Sequence, residues 1–310
     1  MPIAPEYQAM LEQLAESPGP AISEMTLVDA RAAYRLMRPT APELDVGGVE
    51  DTSCPAADGA QVPLRIYRPA GAEATGILVF FHGGGWVIGD LETADAACRL
   101  LCREAGCIVV SVDYRLAPEH PYPTAVEDCW AATRWCAEHS SKLGGNGRLA
   151  VGGESAGGNL AAVMALRARA AGGPALALQV LAYPVVDFDF SYGSYAENGE
   201  GNILETATMQ WFWDHYCPDP ARRTETDAAP LRASDLTDLP PALILTAEFD
   251  PLRDEGAAFA QKLDAAGTAV TYHCAPGLLH DFMAMGAVFP SVKPAMALVY
   301  EQLRAALAAS

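Results

Sequence analysis

The chain has 310 residues, 51% of them hydrophobic, and a formal charge of −19 at pH 7. That length suits one large domain with an accessory cap better than two equal domains. The acidic balance repels nucleic acid and anionic membrane surfaces, and it disfavours strongly anionic substrates.

The first residues, Met1-Pro2-Ile3-Ala4-Pro5-Glu6, carry neither a basic patch nor an apolar run. This is not the pattern of a secretory signal, no stretch is apolar enough for membrane insertion, and a cytoplasmic location is expected. Over 5–38, Met10, Leu11, Leu14, Leu27, Val28, Tyr34 and Leu36 recur at helical spacing, and Ser17-Pro18-Gly19-Pro20 breaks the run into two helices. Next, Val62-Pro63-Leu64-Arg65-Ile66-Tyr67 alternates like an edge strand, and Ile77-Leu78-Val79-Phe80-Phe81 reads as a strand buried on both faces. A helix over 92–104, a strand over 108–112, a helix over 124–139 and a strand over 148–151 follow.

Past 151, Leu160, Val163, Met164 and Leu166 mark a helix. Strands over 178–182, 243–246 and 270–274 come after it, with helices over 253–266 and 292–308. Strand alternating with helix predicts an α/β fold with a mostly parallel sheet covered on both faces. The alternation fails over 188–232, which is polar and Gly-rich, then aromatic, then proline-rich. We expect a core of 46–187 and 233–310, with 1–45 and 188–232 forming a lid.

The eight cysteines are scattered, with no CxxC pair. Cys98 and Cys102 have the spacing of helical metal ligands. No nearby His or Cys completes a set, so buried thiols are the better reading and no metal is expected.

The stretch Gly153-Glu154-Ser155-Ala156-Gly157 puts a serine between strand and helix. A turn that tight needs glycine on both sides, and it lifts the hydroxyl clear of the sheet. The N–H of Ala156, at the helix start, then faces whatever the serine attacks. Ligands of parallel sheets bind beyond the carboxyl ends of strands, so partners are sought there. After the 77–81 strand, His82-Gly83-Gly84-Gly85-Trp86 exposes backbone N–H groups that suit an oxyanion. Of six histidines, His280 sits just past the last strand, on a turn marked by Pro276 and Gly277, and is the best placed base. Asp250 ends the 243 strand and suits the carboxylate that orients it. Asp254 and Glu255 fall inside the next helix, and Asp281 adjoins the histidine it would have to face.

These segments have a family look. HGGGW at 82–86, DYRLAPEHPYP at 113–123, GESAGG at 153–158, WFWDHY at 211–216 and FDPLRDEG at 249–256 together resemble the bacterial branch of the hormone-sensitive lipase family of α/β-hydrolase carboxylesterases. The resemblance implies the α/β-hydrolase fold with a helical cap. It implies Ser155 as nucleophile, His280 as base, Asp250 as its orienter, and Gly84, Gly85 and Ala156 as oxyanion donors. His82 is expected to brace the glycine loop. The implied reaction is hydrolysis of short-to-medium acyl esters through an acyl-enzyme, without cofactor or metal. The alternatives are a non-catalytic small-ligand receptor on the same fold, or a specialised amidase or deacylase. Trp86, Trp211, Phe212 and Trp213 are either pocket walls or plain packing of cap on body. Nothing demands a second subunit, though a homodimer through the last strand is open to it. Two positions depart from the family pattern: Glu154, where aspartate is common, and Asp281, where glycine is usual.

Overall fold

The computed structural model describes residues 1–16, 19–41, 44–71 and 75–308. The apolar runs form the middle of an eight-stranded sheet in the order β1-β2-β4-β3-β5-β6-β7-β8. Its strands are β1 (Gly48–Pro55), β2 (Gln61–Arg68), β3 (Thr75–Phe81), β4 (Ile108–Val112), β5 (Gly145–Glu154), β6 (Leu178–Ala182), β7 (Ala242–Phe249) and β8 (Val270–Leu279). From β4 to β8 all neighbours are parallel, while β1 on β2 and β2 on β4 are antiparallel. Successive residues of a strand point to opposite faces. Leu78 and Phe80 therefore join a core beneath α3 (Leu91–Ala105) and α10 (Lys293–Leu307). Ile77, Val79 and Phe81 join the other core, with α4 (Thr124–Glu138) and α6 (Ala156–Ala171).

Local chemistry sets the helix ends. Asp90 and Thr93 form a reciprocal capping box at the start of α3, and Gly106 ends it in the left-handed region. At the N-terminus, α1 (Pro5–Glu16) and α2 (Leu27–Met37) match the predicted pair, and the Thr26 hydroxyl caps α2 by accepting from the N–H of Asp29. Of the predicted breaker between them, Ser17 and Pro18 lie outside the described residues. The 188–232 segment holds α7 (Gly193–Asn198) and α8 (Thr206–Tyr216), and α8 packs against a short turn at Ile22–Glu24. A four-residue α5 (Ser140–Leu143) precedes β5, and α9 (Arg253–Ala265) links β7 to β8. No described helix is long and apolar enough to cross a membrane.

Two expectations about strands need correction. The 62–67 strand is not at the edge, because β1 pairs with it along its whole length. β1 escapes pattern reading because Cys54 is its only buried residue, so backbone pairing rather than a hydrophobic face holds it. The last strand does not stop at 274 but runs through Pro276 and Gly277 to Leu279. The register shifts between Ala247 and Phe249, absorbing the irregularity that Pro276, without an N–H, imposes. The Gly277 N–H donates instead to Glu248 Oε2 at 2.7 Å, and its carbonyl accepts from Ala4 at 2.8 Å.

Register also delivers the loops to one place. Phe81 is opposite Gly153, so the 82–86 loop emerges beside Ser155. Phe249 is opposite Leu279, so Asp250 and His280 leave the sheet side by side. The approach at the serine turn is extreme: a Cβ on Gly157 would lie 1.9 Å from the Phe81 carbonyl oxygen. That oxygen belongs to a buried strand end and cannot retreat. Gly157→Ala is expected to cost at least about 3 kcal/mol, read as a lowered urea midpoint with unchanged slope.

Candidate active site

Ser155 stands between β5 and α6 with φ 54° and ψ −117°, a strained backbone for a residue with a side chain. Both of its backbone groups are anchored. Its N–H donates to Ala182 at 2.9 Å, and its carbonyl accepts from Asn159 at 3.0 Å and Val185 at 3.2 Å. The turn is thus held by β6 and by α6, and the side chain is left to point out of the sheet.

His280 closes a hydrogen-bonded chain. Its Nε2 lies 3.0 Å from Ser155 Oγ and its Nδ1 lies 2.8 Å from Asp250 Oδ2. Asp250 is fully buried, and its other oxygen accepts the Leu252 N–H at 2.9 Å, which fixes the carboxylate plane. Burial alone would lower the pKa of His280, but the neighbouring charge of Asp250, reinforced by Asp281 and Glu154, holds it above its ordinary value. Of the other acids considered, Asp254 accepts from Ser194 N–H at 2.8 Å, and Glu255 accepts from Val186 N–H at 2.8 Å and Tyr195 Oη at 3.1 Å. Both brace the chain over 186–195.

The glycine loop abuts the serine turn. The Gly83 N–H lies 3.4 Å from Glu154 Oε1, and Gly84 and Gly85 have φ of 109° and 58°, the region that favours glycine. Ala156 is the first residue of α6, so its N–H has no acceptor within the helix. His82 does not face the serine. Its Nδ1 lies 2.7 Å from the Gly83 carbonyl, its ring stacks on Tyr114 at 4.2 Å, and burial pushes its pKa down to about 4. A neutral ring that braces the loop is what those contacts allow.

A family model described as alpha/beta hydrolase fold matches residues 78–284, which hold the glycine loop, Ser155, Asp250 and His280. The chain is 49% identical over 249 residues to the carboxylic ester hydrolase LipN of Mycobacterium tuberculosis, covering 78% of this chain and 66% of that one. The chain belongs to the hormone-sensitive-lipase-like α/β-hydrolases. It is also 40% identical over 261 residues to the ethyl acetate hydrolase of Pseudomonas putida, covering 83% of this chain and 82% of that one. The crystal structure of a thermostable esterase from Pseudomonas putida ECU1011 superposes with a TM-score of 0.95 at 41% identity, over 100% of this chain and 99% of that chain.

Within this family framework the four aromatic candidates divide. Trp86 and Trp213 expose no surface, and Trp86 stacks on Tyr216 at 4.0 Å with Trp213 5.0 Å away. For these two the geometry is packing of the glycine loop against α8, because a ring with no exposed face cannot line an open pocket. Trp211 is half-buried. Phe212 lies directly over the glycine loop: a Cβ on Gly85 would fall 2.1 Å from its ring. Cys98 and Cys102 are buried, and burial pushes the Cys102 thiol up to about 12.

Pattern reading missed a buried charge cluster under the histidine turn. Arg38, Glu154 and Asp281 meet there, and Tyr183 bridges Glu154 to the residues after His280. The sequence signals were the two departures from the family pattern at 154 and 281. Nothing local distinguishes Arg38 from the other exposed-looking arginines.

Proposed function

We propose that the chain is a serine carboxylesterase acting on short-to-medium acyl esters, with Ser155, His280 and Asp250 as its triad. The observation that carries this reading is the continuous chain from Asp250 through His280 to Ser155, at 2.8 and 3.0 Å. Ser155 Oγ attacks the ester carbonyl as His280 Nε2 takes its proton. Asp250 holds the tautomer with the proton on Nδ1 and stabilises the imidazolium. The backbone N–H groups of Gly84, Gly85 and Ala156 receive the oxyanion, each worth about 3 kcal/mol of barrier. His280 then protonates the departing alcohol, and water repeats the sequence on the acyl-enzyme. The homologous carboxylic ester hydrolases, one of them named for ethyl acetate, support a small ester as substrate.

In this reading residues 1–45 and 188–232 form the cap, and 46–187 with 233–310 form the catalytic body. Phe212, on the cap and against Gly85, is the wall that limits the acyl chain. Hydrolysis of p-nitrophenyl esters from acetate to palmitate tests it. Turnover is expected to peak at short or medium chains and to fall at least about tenfold by palmitate. A folded wild-type protein that hydrolyses none of them would instead support a non-catalytic receptor or a narrow deacylase.

The pH dependence follows from His280. Only the neutral imidazole can accept the serine proton, and the folded-state pKa is raised above 6.5. Activity is therefore lost as pH falls through that raised value. The acid limb of kcat/KM for p-nitrophenyl acetate is expected to have its midpoint above 6.5. A midpoint below it would contradict the charge arrangement around His280.

A further inference from the structure

One guanidinium touches the residue before the proposed nucleophile and the residue after the proposed base. Arg38 Nη2 lies 2.9 Å from Asp281 Oδ2 and 3.8 Å from Glu154 Oε1, and the three side chains are 3%, 12% and 2% exposed. The Arg38 guanidinium also covers the Tyr34 ring at 4.3 Å. Glu154 is a hub: its Oε1 faces the Gly83 N–H, and its Oε2 accepts from Tyr183 Oη at 2.8 Å. The Tyr183 oxygen in turn accepts the Met283 N–H at 3.1 Å, and its ring meets the His280 ring edge-on at 4.8 Å. Glycine loop, serine turn and histidine turn are thus joined through one carboxylate.

Two carboxylates buried this close together repel each other, and the one cation between them offsets that repulsion. Asp281 adds a conformational demand, because at φ 75° it occupies the left-handed region, which residues with a side chain enter uncommonly, though aspartate more readily than most. Arg38 supplies both needs. It sits at the end of α2, outside the family-matched span of 78–284, so the counter-charge comes from the N-terminal segment.

We propose that Arg38 is a positioning residue: it seats the His280–Asp281 turn against Glu154 and so couples docking of the N-terminal helices to alignment of the catalytic base. The inference rests on the reading of His280 as that base. The groups facing His280 are Ser155 and Asp250 in its hydrogen bonds, the Tyr183 ring, Asp281 beside it and Glu154 behind Tyr183. Arg38 and Tyr7 lie beyond Asp281.

The test compares wild type with Arg38→Met, Arg38→Lys, Asp281→Asn and the double variant Arg38→Met/Asp281→Asn, using p-nitrophenyl acetate and checking each fold by circular dichroism. Arg38→Met is expected to lose about tenfold or more in kcat with KM within about threefold, since alignment rather than binding is lost. Arg38→Lys should retain most of the activity. The double variant should regain at least about threefold over Arg38→Met, because one of the two uncompensated carboxylates is gone and Glu154 alone remains. Asp281→Asn should move the acid limb of kcat/KM down by about half a pH unit, since it removes a negative charge beside the base. If Arg38→Met does not fold, the double variant, with neither charge, carries the comparison. An active wild type with a fully active Arg38→Met, or a double variant no better than Arg38→Met, overturns the role of Arg38 alone. An inactive wild type overturns it together with the reading of His280.

Discussion

Ser155→Ala is expected to yield a folded protein whose ester turnover has fallen by about 10^4-fold or more. The change removes only Oγ, which lies 3.0 Å from His280 Nε2. Alanine keeps the Cβ that the turn already tolerates at φ 54°, and the backbone bonds to Ala182, Asn159 and Val185 do not involve the side chain. The glycine loop and the first N–H of α6 are untouched, so ester binding should survive. Purified protein assayed with p-nitrophenyl butyrate, alongside a circular dichroism spectrum, checks both halves. Residual turnover above about one hundredth of wild type would remove Ser155 from the role of nucleophile.

Asp250→Asn should cost nearly as much, about 10^4-fold in kcat, through the histidine tautomer. In the native arrangement Asp250 Oδ1 accepts the Leu252 N–H and Oδ2 faces His280 Nδ1. The amide of asparagine keeps its oxygen on the Leu252 donor, which leaves its NH2 facing Nδ1. Nδ1 must then be the acceptor, the ring proton moves to Nε2, and the nitrogen facing Ser155 can no longer take a proton. The loss should lie in kcat with KM little changed. Equal activity of wild type and Asp250→Asn would show that another group orients the ring, and Asp281 is the neighbour to examine next.

Much of the molecule was legible one segment at a time. The strands at 108–112 and 178–182 match the observed bounds because short, mainly apolar runs bounded by turn residues suit strands buried on both faces of a parallel sheet. The serine turn was legible because glycines on both sides of a serine, between an apolar strand and a helical run, mark a tight strand-to-helix turn in the sequence itself. Asp250 and His280 could be picked by position, as residues that leave adjacent strand ends. β1 was not legible, since its stability comes from backbone pairing with β2 and most of its side chains face water. The end of β8 was misread because Pro276 and Gly277 signal a turn locally. Glu248 and the N-terminal residue Ala4 instead satisfy the Gly277 backbone there.

By itself, then, the sequence determined the α/β alternation and the turn that presents Ser155, and it pointed to Asp250 and His280, which lie in one hydrogen-bonded chain with it. Spacing along a strand or helix is written in the residues themselves. Only the tertiary structure decided which aromatics are buried as packing, that Phe212 lies over Gly85, and that Arg38 reaches Glu154 and Asp281. Such contacts join residues more than a hundred positions apart. Their energy depends on burial and on the charge opposite, neither of which exists until the elements have met.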